Sequence, residues 1–298
     1  MNINRRQLLK LSALGGGAVL ASSLPGCASL GMGRMNATND FYFVQLSDIH
    51  WGFKGAPNPD AANTLKKAIV SVNALDVQPD FIMFTGDLTH TTDDPKERRR
   101  RLAEFKEIAA NLKVQNVRFM PGEHDASLDF GAAYKEFFGE TFYSFDHRGV
   151  HFVVVDNVSD PGAKIGEEQL AWLAKDLATR KQDDPIVIFT HRPLFDLVPK
   201  WDWATRDGSR AIEMLMAYKN VTVFYGHIHQ EHHHMTGHIA HHAAKSLIFP
   251  LPAPGSQEKR TPLPWNEAAP HSGLGFREVE AEDTATRYKV TEFPVVRV

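Results

Sequence analysis

Five short stretches of the chain carry carboxylates and imidazoles in one order. They are Asp48-Ile49-His50, Gly86-Asp87, Gly122-Glu123-His124-Asp125, Thr190-His191 and Gly226-His227-Ile228-His229. Asp48 and His50 stand two apart, as do His227 and His229, so along an extended strand end each pair would point one way. A carboxylate has two oxygens and can bridge two cations, which an imidazole cannot. Gly86 lets the chain turn sharply and bring Asp87 close. Mixed oxygen and nitrogen donors suit hard divalent or trivalent ions, and no thiolate set for a structural zinc is present. Two cations caged at neutral pH point to hydrolysis. Each piece alone is ordinary, since Gly-Asp is common turn chemistry and a lone His191 is more often a core residue. Five pieces in one order carry the reading.

Each stretch follows an apolar run that reads as a β-strand, over residues 41–46, 81–85, 117–120, 186–189 and 221–225. Between them, apolar residues recur at helical spacing over 59–75, 95–112, 130–138, 167–179 and 209–218. Strands are also expected at 141–145 and 150–155, joined through Arg148-Gly149. After Gly226 the helical period disappears. Strand-like segments at 245–250, 273–280 and 287–293 are linked by proline-rich loops. An α/β half followed by a β-rich tail predicts two packed sheets with helices outside. The 250–270 stretch reads as a long loop near the site.

With 298 residues, no internal repeat and no composition break, the chain is long enough for one large domain. Its hydrophobic content of 43% supports a sizeable core. A formal charge of -3 gives no overall basic field, so no nucleic acid partner is expected. Arg98-Arg99-Arg100-Arg101 reads as a solvated helix face, with an anionic partner as the alternative. His232, His233, His234, His238, His241 and His242 either line the pocket or occupy a solvent-facing loop and strand. Trp201, Trp203 and Arg206 offer a pocket wall with Arg206 on a phosphate, or simple packing or a lid.

Residues 1–30 read as an export signal: Arg5-Arg6 in a basic start, then an apolar Gly/Ala-rich stretch. The arginine pair resembles a twin-arginine signal, with a general secretory signal as the alternative. Residues 31–40 read as a tether and 41–298 as the folded domain. Cys27, the single cysteine, follows Leu24-Pro25-Gly26 and is either a lipid-anchor site or discarded by cleavage after Ala28 or Ser29. The expected location is the periplasm, free or as a membrane-anchored lipoprotein.

Over residues 41–229 the motifs resemble the calcineurin-like metallophosphoesterase superfamily. With His191-Arg192-Pro193 and Tyr143-Ser144-Phe145-Asp146, they are most similar to its bacterial cyclic-nucleotide and glycerophosphodiester phosphodiesterase branch. The resemblance implies an α/β fold, a four-layer αββα sandwich with a dinuclear metal site at the strand-end rim. It implies that one ion takes Asp48, His50, Asp87 and His229, and the other takes Asp87, His191, His227 and Glu123. Asp87 bridges, and the ions are divalent or trivalent Fe, Mn or Zn. It gives His124 the leaving oxygen to assist and Asp125 the task of orienting that ring. A metal-bridging hydroxide would attack a small phosphoester, diesters before monoesters.

Two positions depart from related patterns. The family has asparagine where this chain has Glu123, which either ligates the second ion, adding a charge that weakens its field, or swings away and leaves one position open. A catalytically silent, exported metal- or phosphate-binding protein is therefore the alternative. Purple acid phosphatases place a tyrosine three residues after the bridging aspartate, where this chain has His90, so tyrosinate–iron colour is not expected. A nuclease is a third reading, for which no basic groove is legible. Oligomeric state is not legible.

Overall fold

A computed structural model describes residues 41–282 and 285–296. The signal segment, tether and Cys27 lie outside the described residues. Eleven strands are present: β1 (Tyr42–Leu46), β2 (Phe81–Thr85), β3 (Val117–Met120), β4 (Tyr143–His147), β5 (Val150–Val154), β6 (Pro185–Phe189), β7 (Asn220–Tyr225), β8 (His232–Thr236), β9 (Ile239–Ala243), β10 (Gly275–Ala281) and β11 (Tyr288–Pro294). The helices are α1 (Ala61–Asn73), α2 (Pro95–Ala109), α3 (Glu123–Ala126), α4 (Ala132–Phe138), α5 (Glu167–Leu177) and α6 (Gly208–Leu215).

The strands form two sheets, ordered β11-β10-β1-β2-β3 and β4-β5-β6-β7-β9-β8. β1, β2 and β3 run parallel, as do β5, β6, β7 and β9. Strands covered on both faces read as unbroken apolar runs, and β1, β2 and β5 are buried at every position. The sheets meet through a layer of rings. Phe43 stacks on Phe81 at 4.9 Å and turns its edge to Phe152, Phe189 and Phe224. Outside the first sheet, α1 supplies Leu65, Ala68, Ile69 and Val72, and α2 supplies Phe105. Outside the second, α5 and α6 supply Leu170, Leu173, Leu177, Ala211 and Leu215. The order of layers is αββα, as expected.

Local chemistry fixes the element ends. Asp94 caps α2 by accepting from the Lys96 N–H at 2.9 Å, and Pro95 takes the first helical position. Arg148 and Gly149 have φ of 47° and 80°, the double left-handed turn that matches strand twist in a two-residue hairpin.

One expectation fails outright and two hold only in part. Segment 245–250 is not a strand: the Leu247 N–H bonds to Ser47 and Asp48 carbonyls instead. The histidine run forms a hairpin, β8 and β9, so the strand reading holds in part, but His241 is buried while His233 and His238 face solvent. The four arginines are a solvated face only in part: Arg99 and Arg100 are 39% and 54% exposed, whereas Arg98 and Arg101 are largely covered. Arg98 is buried on Asp129 at 2.7 Å, Arg99 pairs with Glu136 at 2.6 Å, and Arg100 and Arg101 share Glu97 at 2.6 and 2.8 Å. All four are thus paired with carboxylates.

Truncating the ring at the centre of the intersheet layer tests this packing. Phe43→Ala should lower the unfolding free energy by about 3–5 kcal/mol in urea titration. A loss below about 1 kcal/mol would mean the layer is loosely packed.

Candidate metal centre

The parallel strands of both sheets end at one rim, and their following loops cross it. The Gln45 side-chain amide donates to the Tyr225 carbonyl at 3.2 Å. The His227 N–H donates to both carboxylate oxygens of Asp48 at 3.1 Å. His191 Nδ1 bonds the Thr85 carbonyl at 2.7 Å. Each contact joins one sheet to the other.

The backbone at the rim is unusual. Asp48, His50, Asp87, His227 and His229 have φ of 54°, 48°, 50°, 66° and 54°, the left-handed region. A non-glycine residue there costs about 1–2 kcal/mol, and such strain gathers at functional sites. Asp48 and His50 therefore do not share a direction by strand alternation, nor do His227 and His229. Successive left-handed turns aim them instead. A side-chain carbon at Gly122 would overlap the Asp87 carboxylate, so only glycine lets these loops close up.

All seven expected ligand residues converge. Asp87 Oδ2 lies 3.4 Å from His50 Nε2 and 3.3 Å from His191 Nε2. Asp48 Oδ1 lies 3.4 Å from His229 Nε2 and 3.8 Å from His191 Nε2. Glu123 spans two imidazoles, with Oε2 at 2.9 Å from His191 Nε2 and Oε1 at 2.8 Å from His227 Nδ1. The ligand-type atoms fall into two end groups, Asp48/His50/His229 and Glu123/His191/His227, with Asp87 between.

These atoms fit a pair of cations. Neighbouring donors on one ion held at roughly 2.1 Å lie roughly 3 Å apart, the scale seen here. His50 Nε2, His191 Nε2 and Glu123 Oε2 are buried without a hydrogen-bond partner; the 2.9 Å contact between the last two is off the bonding direction. Buried polar atoms left unmatched are costly. His191 and His229 spend Nδ1 on the Thr85 and Phe249 carbonyls, at 2.7 and 2.8 Å, which turns a bare Nε2 toward the cage.

The electrostatics agree. Burial favours neutral Glu123, but His227 and His191 outweigh it and hold its carboxyl well below the usual range. Asp48 is lowered in the same way, with burial opposed by His229, His191 and the Ser47 hydroxyl. Burial disfavours charge on His191, yet Asp87 and Glu123 hold its pKa well above 6.5. Burial, then His124, His229 and His90, hold His50 well below that value.

Asp125 does not orient His124. Its buried carboxylate accepts from the Leu88, Thr89 and Gly122 N–H groups at 2.9, 2.8 and 2.9 Å and from the Thr89 hydroxyl at 2.9 Å. It therefore fixes the turn that carries Asp87. Burial and then the Asp87 charge push its pKa up to about 6, against the pull of those N–H groups. The His124 ring is held by Thr91, whose hydroxyl and N–H both meet Nδ1, at 2.6 and 3.2 Å.

Arg206 is exposed and its backbone joins Ala163, away from the cage. Trp201 and Trp203 are buried against each other in a small apolar cluster beneath the rim, so packing describes them. The guanidiniums that approach the cage belong to Arg192, 3.9 Å from Glu123, and Arg260, 3.5 Å from His227 on the 250–270 loop. Contacts of the histidine run are with Tyr225, Tyr218, Phe195, Phe224, Glu231 and one another.

Sequence reasoning missed four contributors. Thr91 fixes His124, and His90 meets His50 Nδ1 at 3.2 Å. Asn157 accepts from the His191 and Arg192 N–H groups at 3.2 and 3.3 Å. Arg260 is the fourth. Only Asn157 left a signal, since Asp156-Asn157 follows an apolar strand as the metal motifs do.

A two-sheet αββα sandwich with donors at one rim defines a metallophosphoesterase architecture. The model of the calcineurin-like phosphoesterase family matches residues 41–231, and the chain belongs to that family. A probable cyclic nucleotide phosphodiesterase from Rhodococcus erythropolis is 29% identical over 201 residues, 63% of this chain and 64% of that protein. The serine/threonine-protein phosphatase CPPED1 of Mus musculus is 27% identical over 180 residues, 52% of this chain and 57% of that protein. The chain thus spans less than two thirds of either relative's length. A purple acid phosphatase from yellow lupin seeds shares the fold, with a TM-score of 0.59 at 14% identity over 85% of this chain and 53% of that one. The family uses a dinuclear metal site, and candidate aspartate and histidine ligand groups are present here.

Two outcomes follow from the cage. Without metal, the contacts of protonated His191 stabilise the fold fully below about pH 6.5, and this stabilisation fades as pH rises through the raised folded value. An incoming ion must displace that proton, so metal affinity should climb steadily between about pH 6 and about pH 8 in calorimetric titration; a flat profile would contradict it. Asp125→Ala strands three backbone N–H groups and should cost roughly 2–5 kcal/mol in urea unfolding. Unchanged stability would mean that these bonds do not hold the turn.

Proposed function

We propose that the chain hydrolyses phosphoesters with a pair of cations held by the two ligand groups, Asp87 between them. Asp48, His50, Asp87 and His229 would hold one ion, and Asp87, His191, His227 and Glu123 the other. The observation that carries the proposal is the convergence of partnerless buried atoms on His50, His191 and Glu123 around one Asp87 oxygen. When bound, such ions supply Lewis acidity and lower the pKa of water.

The protein's own groups supply the rest. The Thr91 N–H donates to His124 Nδ1, so Nδ1 is an acceptor and the proton sits on Nε2. That Nε2 lies 3.9 Å from Asp87 Oδ2 and the side chain is about a quarter exposed, at 27%. A partly exposed N–H donor beside the cage suits a departing alkoxide. The Asp87 carboxylate is steadied through Oδ1 by the His124 N–H at 2.9 Å, so acid and cage are set by one residue's backbone and ring.

Phosphodiesters are the favoured substrates. The Rhodococcus relative's name supports that choice, and the mouse relative's name supports a monoester instead. The export reading of residues 1–30 belongs to the same proposal: the enzyme would act outside the cytoplasm. The rival is a silent protein that binds metal or phosphate only.

Elemental analysis of the mature protein, with turnover of bis-p-nitrophenyl phosphate and p-nitrophenyl phosphate under Mn, Fe, Zn or Mg, decides between them. Two ions per chain and release of p-nitrophenol are expected. His124→Ala should keep the metal and lower kcat by roughly 10²–10⁴-fold. Protein that holds two ions and releases nothing with any of them would establish the silent reading.

A further inference from the structure

The cage concentrates negative charge. Three carboxylates, Asp48, Asp87 and Glu123, face His50, His191, His227 and His229. Glu123 is committed to the interior through both oxygens, at 2.9 and 2.8 Å from His191 and His227. The nearby Arg192 does not cancel it. Its guanidinium is 3.9 Å from Glu123 but pairs with Asp202 at 2.9 Å and with the Ala204 carbonyl at 2.9 Å. Arg260 stands at the mouth, exposed and therefore screened by water.

Metal ligation keeps carboxylates ionised. Two divalent cations against three carboxylates leave a single net positive charge, which the attacking hydroxide removes. A monoanionic phosphodiester then adds one excess negative charge to a buried site and a dianionic phosphomonoester adds two, where charge interacts strongly. With Glu123 neutral, each excess would fall by one charge.

We propose that the charge on Glu123 makes this site select monoanionic phosphodiesters over dianionic phosphomonoesters. This rests on the two-cation, phosphodiester reading above and adds the residue that sets the preference and its physical cause. Selection is a difference of affinities built by disfavouring the rival ligand. Glu123 acts by its charge, so side-chain length matters less than ionisation.

The test compares Glu123→Gln, which removes the charge at equal length, with Glu123→Asp, which keeps it. Glu123→Asn takes the first role if the glutamine protein fails to hold the second ion by elemental analysis. Turnover of bis-p-nitrophenyl phosphate and p-nitrophenyl phosphate is measured at about pH 8, above the second phosphate pKa of about 6. Calorimetry measures inorganic phosphate and dimethyl phosphate binding to the same metal-loaded proteins. Removing the charge should shift the kcat/KM ratio toward the monoester by about tenfold or more, and tighten inorganic phosphate about tenfold with less change for dimethyl phosphate. Glu123→Asp should keep the wild-type ratios. Ratios within about twofold of wild type in the neutral variant, with two ions bound, overturn the proposal, as does an equal shift in Glu123→Asp. Wild-type protein that binds two ions and cleaves neither ester removes the hydrolase reading, while the two anion affinities still decide the charge rule. Wild-type protein that takes up no metal overturns both.

Discussion

Carboxylates sharing one dry pocket repel one another unless positive charge stands among them. Asp48, Asp87 and Glu123 meet that condition at the junction of two sheets, and the rim is arranged around it. Imidazoles separate the acids, and the raised pKa of His191 shows a proton doing what a cation would do there. The partnerless nitrogens of His50 and His191 show that protons alone do not complete the arrangement.

The same requirement explains the backbone. Five of the converging residues are left-handed, each at a local cost, and no short peptide would adopt that set. They persist because both sheets hold the loops from below and bonds such as His227 to Asp48 and His191 to Thr85 hold them across. Asp125 contributes from behind, binding the turn after β2 to the turn after β3.

Much of this was legible in the residues. Parallel strands buried on both faces must be apolar throughout, so β1, β2, β6 and β7 announced themselves, and the residues just after them carried the donors. What escaped has a common cause. Thr91 meets His124 across 33 positions, and Asn157 meets His191 across 34; no local pattern encodes such partners. Asp125 misled because its neighbour in sequence, His124, is not its neighbour in bonding. The hairpin β8–β9 was legible only as a solvent-facing loop and strand because histidine reads as polar, although His241 is fully buried and His234 lies flat on Phe195. Segment 245–250 looked like a strand because its apolar residues are covered, but they are covered by the rim rather than by a ladder.

The layer of phenylalanine rings between the sheets supplies no ligand, yet it sets the gap between the strands that carry the two halves of the cage. Asp48 and Asp87 ride on one sheet, His191 and His227 on the other. Closing or tilting the gap by a fraction of a ring's thickness would move one set of donors against the other without altering a single ligand. Remote bulk thus acts as a gauge block for the metal spacing, and drift in that buried layer would retune chemistry long before it unfolded the chain.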